Sequence, residues 1–312
     1  MPAALSSQSI VGIILEATRG TKPTSGTYEA VPLLEGGGSE FDASAKEANT
    51  FQVIDGTRMK STVVGGAFSV RARLSCPLSY EVGSQTLLRA ALHAAAWSSG
   101  VITAGANASY FFTLVVKMEL GATDDFIFLS GCEVANATFD FPLNGAATVQ
   151  YDIIGTTQSV ATAMPGTATL GSLAGLNPFA TGLSGADLTW GGVGSNIGTA
   201  SFTLNNQAQP KYAWGGSGAD HVVNGNLIAQ GRFEKYYYSD DILADAIAET
   251  VRTLNFIVKS SDGSNNTMTI SFPDAKITNA PIADSAGSWT QNAEFTGQYD
   301  TGISSIMNIS VT

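Results

Sequence analysis

The sequence predicts a mainly β, α+β fold that is built as two tandem β-rich domains, each with one α-helix. The composition supports this, because 34 glycines and frequent Thr, Ser and Asn favour β-structure with many turns. Charged residues make up only 13% of the chain, against ~25% in typical soluble domains. Low charge also fits a surface that neighbouring subunits cover, since interface cores are depleted in charge. The third observation is that one order of predicted elements occurs twice.

The first repeated element is a strand. Residues Thr62 to Leu74, TVVGGAFSVRARL, alternate apolar and polar side chains and predict one strand with a buried and a solvent-facing side. Residues His221 to Phe233, HVVNGNLIAQGRF, show the same pattern and align Arg232 with Arg73. The two stretches therefore predict equivalent strands.

A helix, a hairpin and two further strands follow in both parts of the chain. The helices are predicted to begin at Ser84 and Ser239, each serine acting as an N-cap. This shared order predicts an internal duplication, with domains at 1–157 and 196–312. Between them, residues 158–195 form a connector rich in Gly, Ala, Thr and Ser, long enough for a small outer element. The alternative is that two unrelated β-rich halves share generic patterns.

Side chains suited to catalysis are scarce. The two histidines, His93 and His221, have no second His or Cys at metal-ligand spacing, and neither a nucleophile elbow nor a P-loop occurs. We therefore expect no enzyme, no cofactor and no metal site. Two free thiols, Cys76 and Cys132, are expected, and no membrane anchor. The formal net charge of −11 argues against non-specific nucleic-acid binding, which needs Lys and Arg to neutralise phosphate.

Three segments resemble the tail tube proteins of long-tailed, non-contractile (siphovirus) bacteriophages. In the first, residues 12–33, Glu16 is followed by Gly-Thr-x-Pro at residues 20–23. The second, residues 38–74, resembles the long loop of that family and the strand after it. The third, residues 128–156, resembles the strands that close the fold, and the second half of the chain repeats the last two elements.

This resemblance implies that each of the two tandem domains is a β-sandwich or small barrel of the tail-tube type with one flanking α-helix. It also implies a structural virion protein that polymerises into stacked rings and forms the tail tube, the conduit for DNA ejection. The chain would partner with itself, either as a trimer with pseudo-sixfold symmetry, which the duplication favours, or as a hexamer. A tape measure protein and a tail terminator would be further partners, and DNA would pass through without specific binding. The protein would be made in the bacterial host cytoplasm and reside in the virion tail.

The resemblance also suggests where subunits and rings meet. An N-terminal arm would span residues 10–23, a stacking loop residues 36–62, and a second stacking loop residues 202–222. The polar side of the repeated strand would contact a neighbouring subunit, since Arg is common at interfaces. The residues predicted for these contacts are Glu16, Thr21, Pro23, Phe41, Phe51, Arg71, Arg73, Tyr212 and Trp214.

The lumen of such a tube is expected to be net negative, because phosphates slide past an acidic wall and a basic wall would trap them. Glu119, Asp124 and Asp125, in the first hairpin, are the predicted lumen-facing acids. The alternative for these three is that they are solvated turn residues.

Two other classes of protein share parts of this composition. One is another β-rich virion or tube protein, either a head decoration protein or a secretion-system tube. The other is a secreted carbohydrate-binding module, which would use exposed Trp or Tyr and would need an export signal. The N-terminus lacks the basic stretch of such a signal, so this second alternative is disfavoured.

Overall fold

A computed structural model describes residues 9–35, 39–42, 46–51, 62–94, 96–105, 110–119, 124–173, 176–184, 186–195, 197–214, 218–237, 241–261, 266–285 and 288–312. These ranges contain 24 strands and two helices, so the predicted mainly β class is confirmed. The elements of the first part are β1 Ile10–Leu15, β2 Thr27–Val31, β3 Glu40–Asp42, β4 Lys46–Phe51, β5 Thr62–Phe68, β6 Val70–Pro77, α1 Val82–Ala91, β7 Val101–Thr103, β8 Phe112–Glu119, β9 Asp124–Phe141 and β10 Thr148–Gly155.

The predicted connector contains short strands that join both parts. They are β11 Thr157–Ala161, β12 Thr169–Leu170, β13 Phe179–Ala180, β14 Asp187–Trp190 and β15 Val193–Ser195. Strands β11 and β12 pair with β9 and β2, respectively, whereas β13 and β14 both pair with β20 (Val251–Ser260) of the second part. The connector therefore adds strands to both parts of the chain, and its apolar residues, such as Phe179 and Trp190, are buried.

The second part repeats the alternation of strands around one helix. Its elements are β16 Ile197–Asn205, β17 Gln209–Tyr212, β18 Ala219–Val223, β19 Ile228–Tyr236, α2 Asp241–Ala248, β20 Val251–Ser260, β21 Thr267–Asn279, β22 Ile282–Ser285, β23 Ser288–Gly297 and β24 Asn308–Val311. The C-terminal β24 pairs with β21 and also with β7 of the first part.

Strand pairing follows the same scheme in both parts. In the first, β6 pairs with β3 and β10, β10 with β9, β9 with β8 and β11, and β8 with β1. In the second, β19 pairs with β16 and β23, β23 with β21, β21 with β20 and β24, and β20 with β14. The hairpin β4–β5 corresponds in the same way to the hairpin β17–β18.

One antiparallel sheet runs through both parts in the order β3, β6, β10, β9, β16, β19, β23, with β21 and then β22 beside β23. Its centre is the pairing of β9 with β16, from Phe141 opposite Ala200 to Asn136 opposite Asn205. The two parts therefore share a sheet of eight strand positions, with β3 at one edge and β22 at the other.

The apolar side of this sheet faces a core that spans both parts. Phe139 of β9 stacks on Phe202 of β16 with ring centroids 4.4 Å apart, and Phe141, Phe256 and Phe272 surround this pair. All five side chains are buried. Helix α1 packs against β1, β2 and β9, and at Gly83 it lies so close to the Ala30 carbonyl that a Cβ would collide.

Two local predictions were wrong. Neither of the two predicted equivalent strands is continuous. The stretch 62–74 breaks at Ser69 into β5 and β6, and the stretch 221–233 breaks at residues 224–227 into β18 and β19; in both cases the two strands join different sheets. Helix α1 begins at Val82 rather than after Ser84, and its N-cap is Glu81. Ser84 lies inside the helix, where its buried hydroxyl hydrogen-bonds Ser79 at 2.8 Å. The predicted N-cap Ser239 lies outside the described residues.

Helix α2 is anchored through a buried carboxylate. Asp245 accepts hydrogen bonds from the indole of Trp190 at 2.8 Å and from both Nε and Nη2 of Arg252. Burial acts to raise the pKa of Asp245, but the hydrogen bonds from Arg252 and Trp190 outweigh it and hold the pKa below its ordinary value. The ionised form therefore stabilises the folded chain.

Asp245→Asn is expected to lower the free energy of unfolding at neutral pH by about 1–3 kcal/mol, because Arg252 and Trp190 lose a charged acceptor. The folded pKa lies below the unfolded one, so this stabilisation is present above the unfolded pKa and is lost as the pH falls through the folded pKa. Urea unfolding at neutral and acidic pH should show the difference shrinking in acid, whereas Asp187→Asn, at an exposed aspartate, should change little. A difference that is equal at both pH values would contradict this assignment.

Candidate assembly surfaces and polar sheet face

The face of the eight-position sheet that points away from the core is polar. We call it the polar face and define it on strands β3, β6, β10, β9, β16, β19 and β23. Its neutral members are amides and hydroxyls, including Thr138 and Thr203, which hydrogen-bond across β9 and β16 at 3.1 Å. Its charged members, all exposed or half-exposed, are Glu40, Asp42, Arg71, Arg73, Asp140, Asp152, Arg232, Glu234 and Glu294. Carboxylates outnumber guanidiniums on this face, so it is net negative.

Arg73 sits in a row of cross-strand neighbours on the polar face. It lies opposite Glu40 on one side and Asp152 on the other. Its Nε donates to Asp152 Oδ1 at 2.9 Å, and this hydrogen bond raises the pKa of the Arg73 guanidinium. Asp152 was missed by sequence reasoning, although its alternation with buried Tyr151 and Ile153 in β10 was a signal that it faces outward.

Both edges of the sheet are short strands. β3 pairs with β6 on its inner side, and β22 pairs with β23. Within the described ranges, no strand pairs with the outer side of either one. At the β22–β23 pairing, the side chains of Ile282 and Trp289 are exposed, and Ile247 near the end of helix α2 is exposed as well. Unpaired edges beside exposed apolar side chains are features of a surface that another chain covers.

The N-terminal arm is fastened to its own chain. Glu16 accepts hydrogen bonds from Gly20 N at 2.6 Å, Thr113 Oγ1 at 2.6 Å and Gly131 N at 2.8 Å. The Thr21 amide donates to the Thr18 carbonyl at 3.1 Å. The Pro23 carbonyl accepts from the Tyr28 hydroxyl at 2.9 Å. Glu16, Thr21 and Pro23 thus shape the arm, and their predicted contacts with another subunit stay a prediction.

A buried carboxylate ties the arm to the second part. Glu133 is fully buried and forms an ion pair with Arg19 and a hydrogen bond with the Asn224 amide. Arg19 Nη2 also donates to the Val222 carbonyl at 2.7 Å. Burial raises the pKa of the Glu133 carboxyl, and the contacts from Asn224 and Arg19 act against this rise. Sequence reasoning missed this cluster, because its members are 91 to 203 residues apart.

The predicted loop anchors occupy different environments. Phe41, on β3, is half-buried and packs against the main core. The side chain of Phe51 lies outside the described residues. Tyr212, the last residue of β17, is 38% exposed, and Trp214, two residues after the strand, is fully exposed. The strands of the hairpin β17–β18 lie beside β9 and β10. Trp214 is therefore available for contact with another molecule.

The remaining predicted residues fall on two separate surfaces. Arg71 and Arg73 belong to the polar face, and their predicted contact with a neighbour stays a prediction. Glu119, Asp124 and Asp125 lie at the tip of the β8–β9 hairpin. Lys117 pairs with Glu119 and Asp124 there, each at 3.0 Å. Measured along β9, Asp124 lies roughly 40 Å from the part of the strand that contributes to the polar face.

No grouping of three or more His, Cys, Asp or Glu side chains within the described ranges is arranged to hold a metal ion. The two cysteines, Cys76 and Cys132, are free, as the sequence predicted, and both are buried. Among the helices of the described ranges, none is long and apolar enough to cross a membrane.

A comparison with protein families finds a match over almost the whole chain. The family model for "Phage tail tube protein" matches residues 6–297, which cover the connector and most of both halves. A comparison with curated proteins found no match. The family match agrees with the resemblance seen in residues 12–33, 38–74 and 128–156, and with the β-rich fold. The chain therefore belongs to the phage tail tube protein family, whose members are structural, non-enzymatic components of the virion tail.

Proposed function

We propose that the chain carries two copies of the tail tube fold and that three chains close a ring with pseudo-sixfold symmetry. These rings stack into the tube of a non-contractile, siphovirus-type tail, and DNA passes through the tube during ejection. The two copies correspond to the domains 1–157 and 196–312, linked by the connector 158–195. The observation that carries this proposal is the β9–β16 pairing, which joins the two parts into one sheet.

The β9–β16 pairing within the chain, which we call the internal joint, serves as the model for a joint between neighbouring chains. By the repeated pairing scheme, β16 is equivalent to β3, since Phe202 lies opposite Gly231 as Phe41 lies opposite Ala72. The end of β9 that pairs with β16 is equivalent to β22, because it flanks β10 in the same way as β22 flanks β23. The outer edge of β22 therefore fits the outer edge of β3 of the next chain.

The register of this joint follows from the internal one. Ser201 lies opposite Asp140, and Phe202 lies opposite Phe139. The equivalent pairs between chains are Glu40 opposite Ala283, and Phe41 opposite Ile282. In the single chain Phe41 is half-buried and Ile282 is exposed. The joint between chains would bury both side chains, as Phe202 and Phe139 are buried at the internal joint.

The helices support the same arrangement. In the aligned patterns of α1 and α2, Ile247 is equivalent to Leu92. Leu92 is fully buried, and Asn206 of the second part caps this end of α1 through a hydrogen bond to the Ala91 carbonyl at 2.9 Å. Ile247 is 77% exposed. We infer that the next chain covers the end of α2 as the second part covers the end of α1.

The expected width of the DNA channel favours three chains per ring. Three sheets of eight strand positions give 24 strands, which close a barrel with a backbone diameter of roughly 45–50 Å. Six chains, the alternative, would double this value. The core, α1 and the connector lie on the other side of the sheet from the polar face, so the polar face would line the channel. A tape measure protein would occupy this channel before ejection, and a terminator would cap the last ring.

Contacts between rings would come from the arm and the two hairpins. The hairpins β4–β5 and β17–β18 leave the sheet at equivalent positions, and Trp214 on the second is fully exposed. An exposed tryptophan is a common anchor at protein interfaces. Stacking through two hairpins per chain would give six such contacts between neighbouring rings.

Paired cysteines at Glu40 and Ala283 test the joint between chains. Opposite residues of antiparallel strands have Cα atoms about 4.5–5.5 Å apart, within the range that a disulfide spans. The double variant is expected to form covalent trimers in assembled tubes under oxidising conditions, as seen by denaturing electrophoresis. Image averaging of the same tubes should count three chains per ring.

The matched control is the equivalent internal pair, Ser201→Cys with Asp140→Cys, which should cross-link within one chain and leave it monomeric on the gel. Each single cysteine variant should give no covalent oligomers on the denaturing gel. Rings of six chains, or cross-linking of the control pair without any at Glu40 and Ala283, would overturn the proposed arrangement.

A further inference from the structure

The polar face contains guanidiniums, which is unexpected for a surface that DNA must pass without binding. Arginine binds phosphate strongly, because its planar group donates two parallel hydrogen bonds. Arg73 is 49% exposed, and Arg232 is also exposed on the same face. Unopposed guanidiniums in a channel wall would therefore hold the DNA backbone.

Both arginines lie at equivalent positions and face equivalent carboxylates. Arg73 on β6 is directly opposite Asp152 on β10, and Arg232 on β19 is directly opposite Glu294 on β23. The first pair is joined by the 2.9 Å hydrogen bond. Sequence alternation alone aligns the two arginines, whereas the carboxylates become partners only through strand pairing.

Further carboxylates border each arginine. Glu40 lies opposite Arg73 on its other side. Arg232 shares a surface cleft with Asp140 and Glu234 as well as Glu294. A phosphate that approached Arg73 would have to displace Asp152. At either guanidinium it would also be repelled by the neighbouring carboxylates.

We propose that Asp152 and Glu294 mask Arg73 and Arg232 from phosphate, so that DNA does not bind these two guanidiniums of the polar face. The DNA backbone is the ligand that these arginines would take if the carboxylates were removed. In a ring of three chains the masked arginines occupy six equivalent positions, and this part of the inference rests on the proposed function. The masking itself is a property of the single chain.

The test measures DNA binding by the dilute, unpolymerised chain. The double variant Asp152→Asn with Glu294→Gln keeps the size of both side chains and removes their charge. Fluorescence anisotropy with a labelled DNA duplex at low salt should show binding on the order of tenfold tighter than wild type, and weakening as salt is raised. Adding Arg73→Gln and Arg232→Gln should abolish the gain.

The matched control is Asp187→Asn with Asp220→Asn, which removes two exposed negative charges outside the polar face. It should leave DNA binding near the wild-type value. An equal gain in this control, no gain in the double variant, or a gain that survives removal of both arginines would overturn the masking. Each single variant is measured as well, and each should show part of the gain, so a poorly folded double variant does not decide the result.

Ring formation by the same variants is scored separately by electron microscopy. Normal rings combined with unchanged DNA binding would overturn the masking and leave the proposed function intact. Absence of three-chain rings from the wild-type protein would overturn the proposed function, whatever the DNA result.

Discussion

Replacing Phe202 with alanine is expected to lower the free energy of unfolding by about 3–5 kcal/mol. The Phe202 ring is buried at the joint between the two parts and stacks on Phe139 at 4.4 Å and near Phe141 at 5.9 Å. Phe256 and Phe272 close the other sides, at 5.2 Å each. A cavity here should strongly destabilise the fold, because the strands on both sides are held in register and cannot collapse into it.

Urea unfolding of the unpolymerised chain measures this loss. Tyr299→Ala is the matched control, because the Tyr299 ring is 62% exposed, and it should change the free energy by at most about 0.5 kcal/mol. Because the joint links both parts, the Phe202 variant should unfold them together at a lower urea concentration. A loss no larger than that of the Tyr299 control would show that the aromatic cluster does not hold the joint.

The second large effect is expected at Arg19. Replacing it with methionine should lower the free energy of unfolding at neutral pH by about 3–5 kcal/mol, because the fully buried Glu133 would lose its cationic partner. The double variant with Glu133→Gln should lose less, since no buried charge then remains unpaired. Arg71→Met, at an exposed arginine of the polar face, is the control and should change little.

The effect of Arg19→Met depends on pH in a defined direction. Burial already raises the pKa of Glu133 above its unfolded value, and loss of Arg19 should raise it further. A raised folded pKa means that stability is greatest below the unfolded pKa and is lost as the pH rises through the folded one. The loss caused by the variant should therefore be larger at neutral pH than in acid. Equal losses at both pH values would contradict the assignment of a buried, ionised Glu133.

Local sequence pattern was sufficient for the elements whose signals are periodic. Alternation in residues 70–74 correctly placed Val70 and Leu74 in the core and Arg71 and Arg73 outside, because side-chain direction in a strand has a period of two. The same pattern did not reveal the break at Ser69. That break depends on β5 leaving to pair with β4, which is a choice between partners and not a local preference.

The functional surfaces were only partly within reach of the sequence. Arg73 was singled out from its position in a repeated strand, but its partner Asp152 lies 79 residues away and was not. Glu133 and Trp190 were also missed, since their roles depend on Arg19 and Asp245 from distant segments. Ion pairs and buried hydrogen bonds of this kind leave no spacing signal, because chain folding alone brings the partners together.

The sequence by itself determined the β-rich class and the family resemblance, because both are encoded in local periodicity and short segments, and it predicted a repeated order of elements. Only the tertiary structure decided that β9 pairs with β16, that β3 and β22 become the edges of one sheet, and that its polar face sets carboxylates opposite Arg73 and Arg232. The physical reason is that strand pairing is non-local. Any strand offers the same backbone hydrogen bonds, and the choice among partners depends on which apolar faces the whole chain can bury at once.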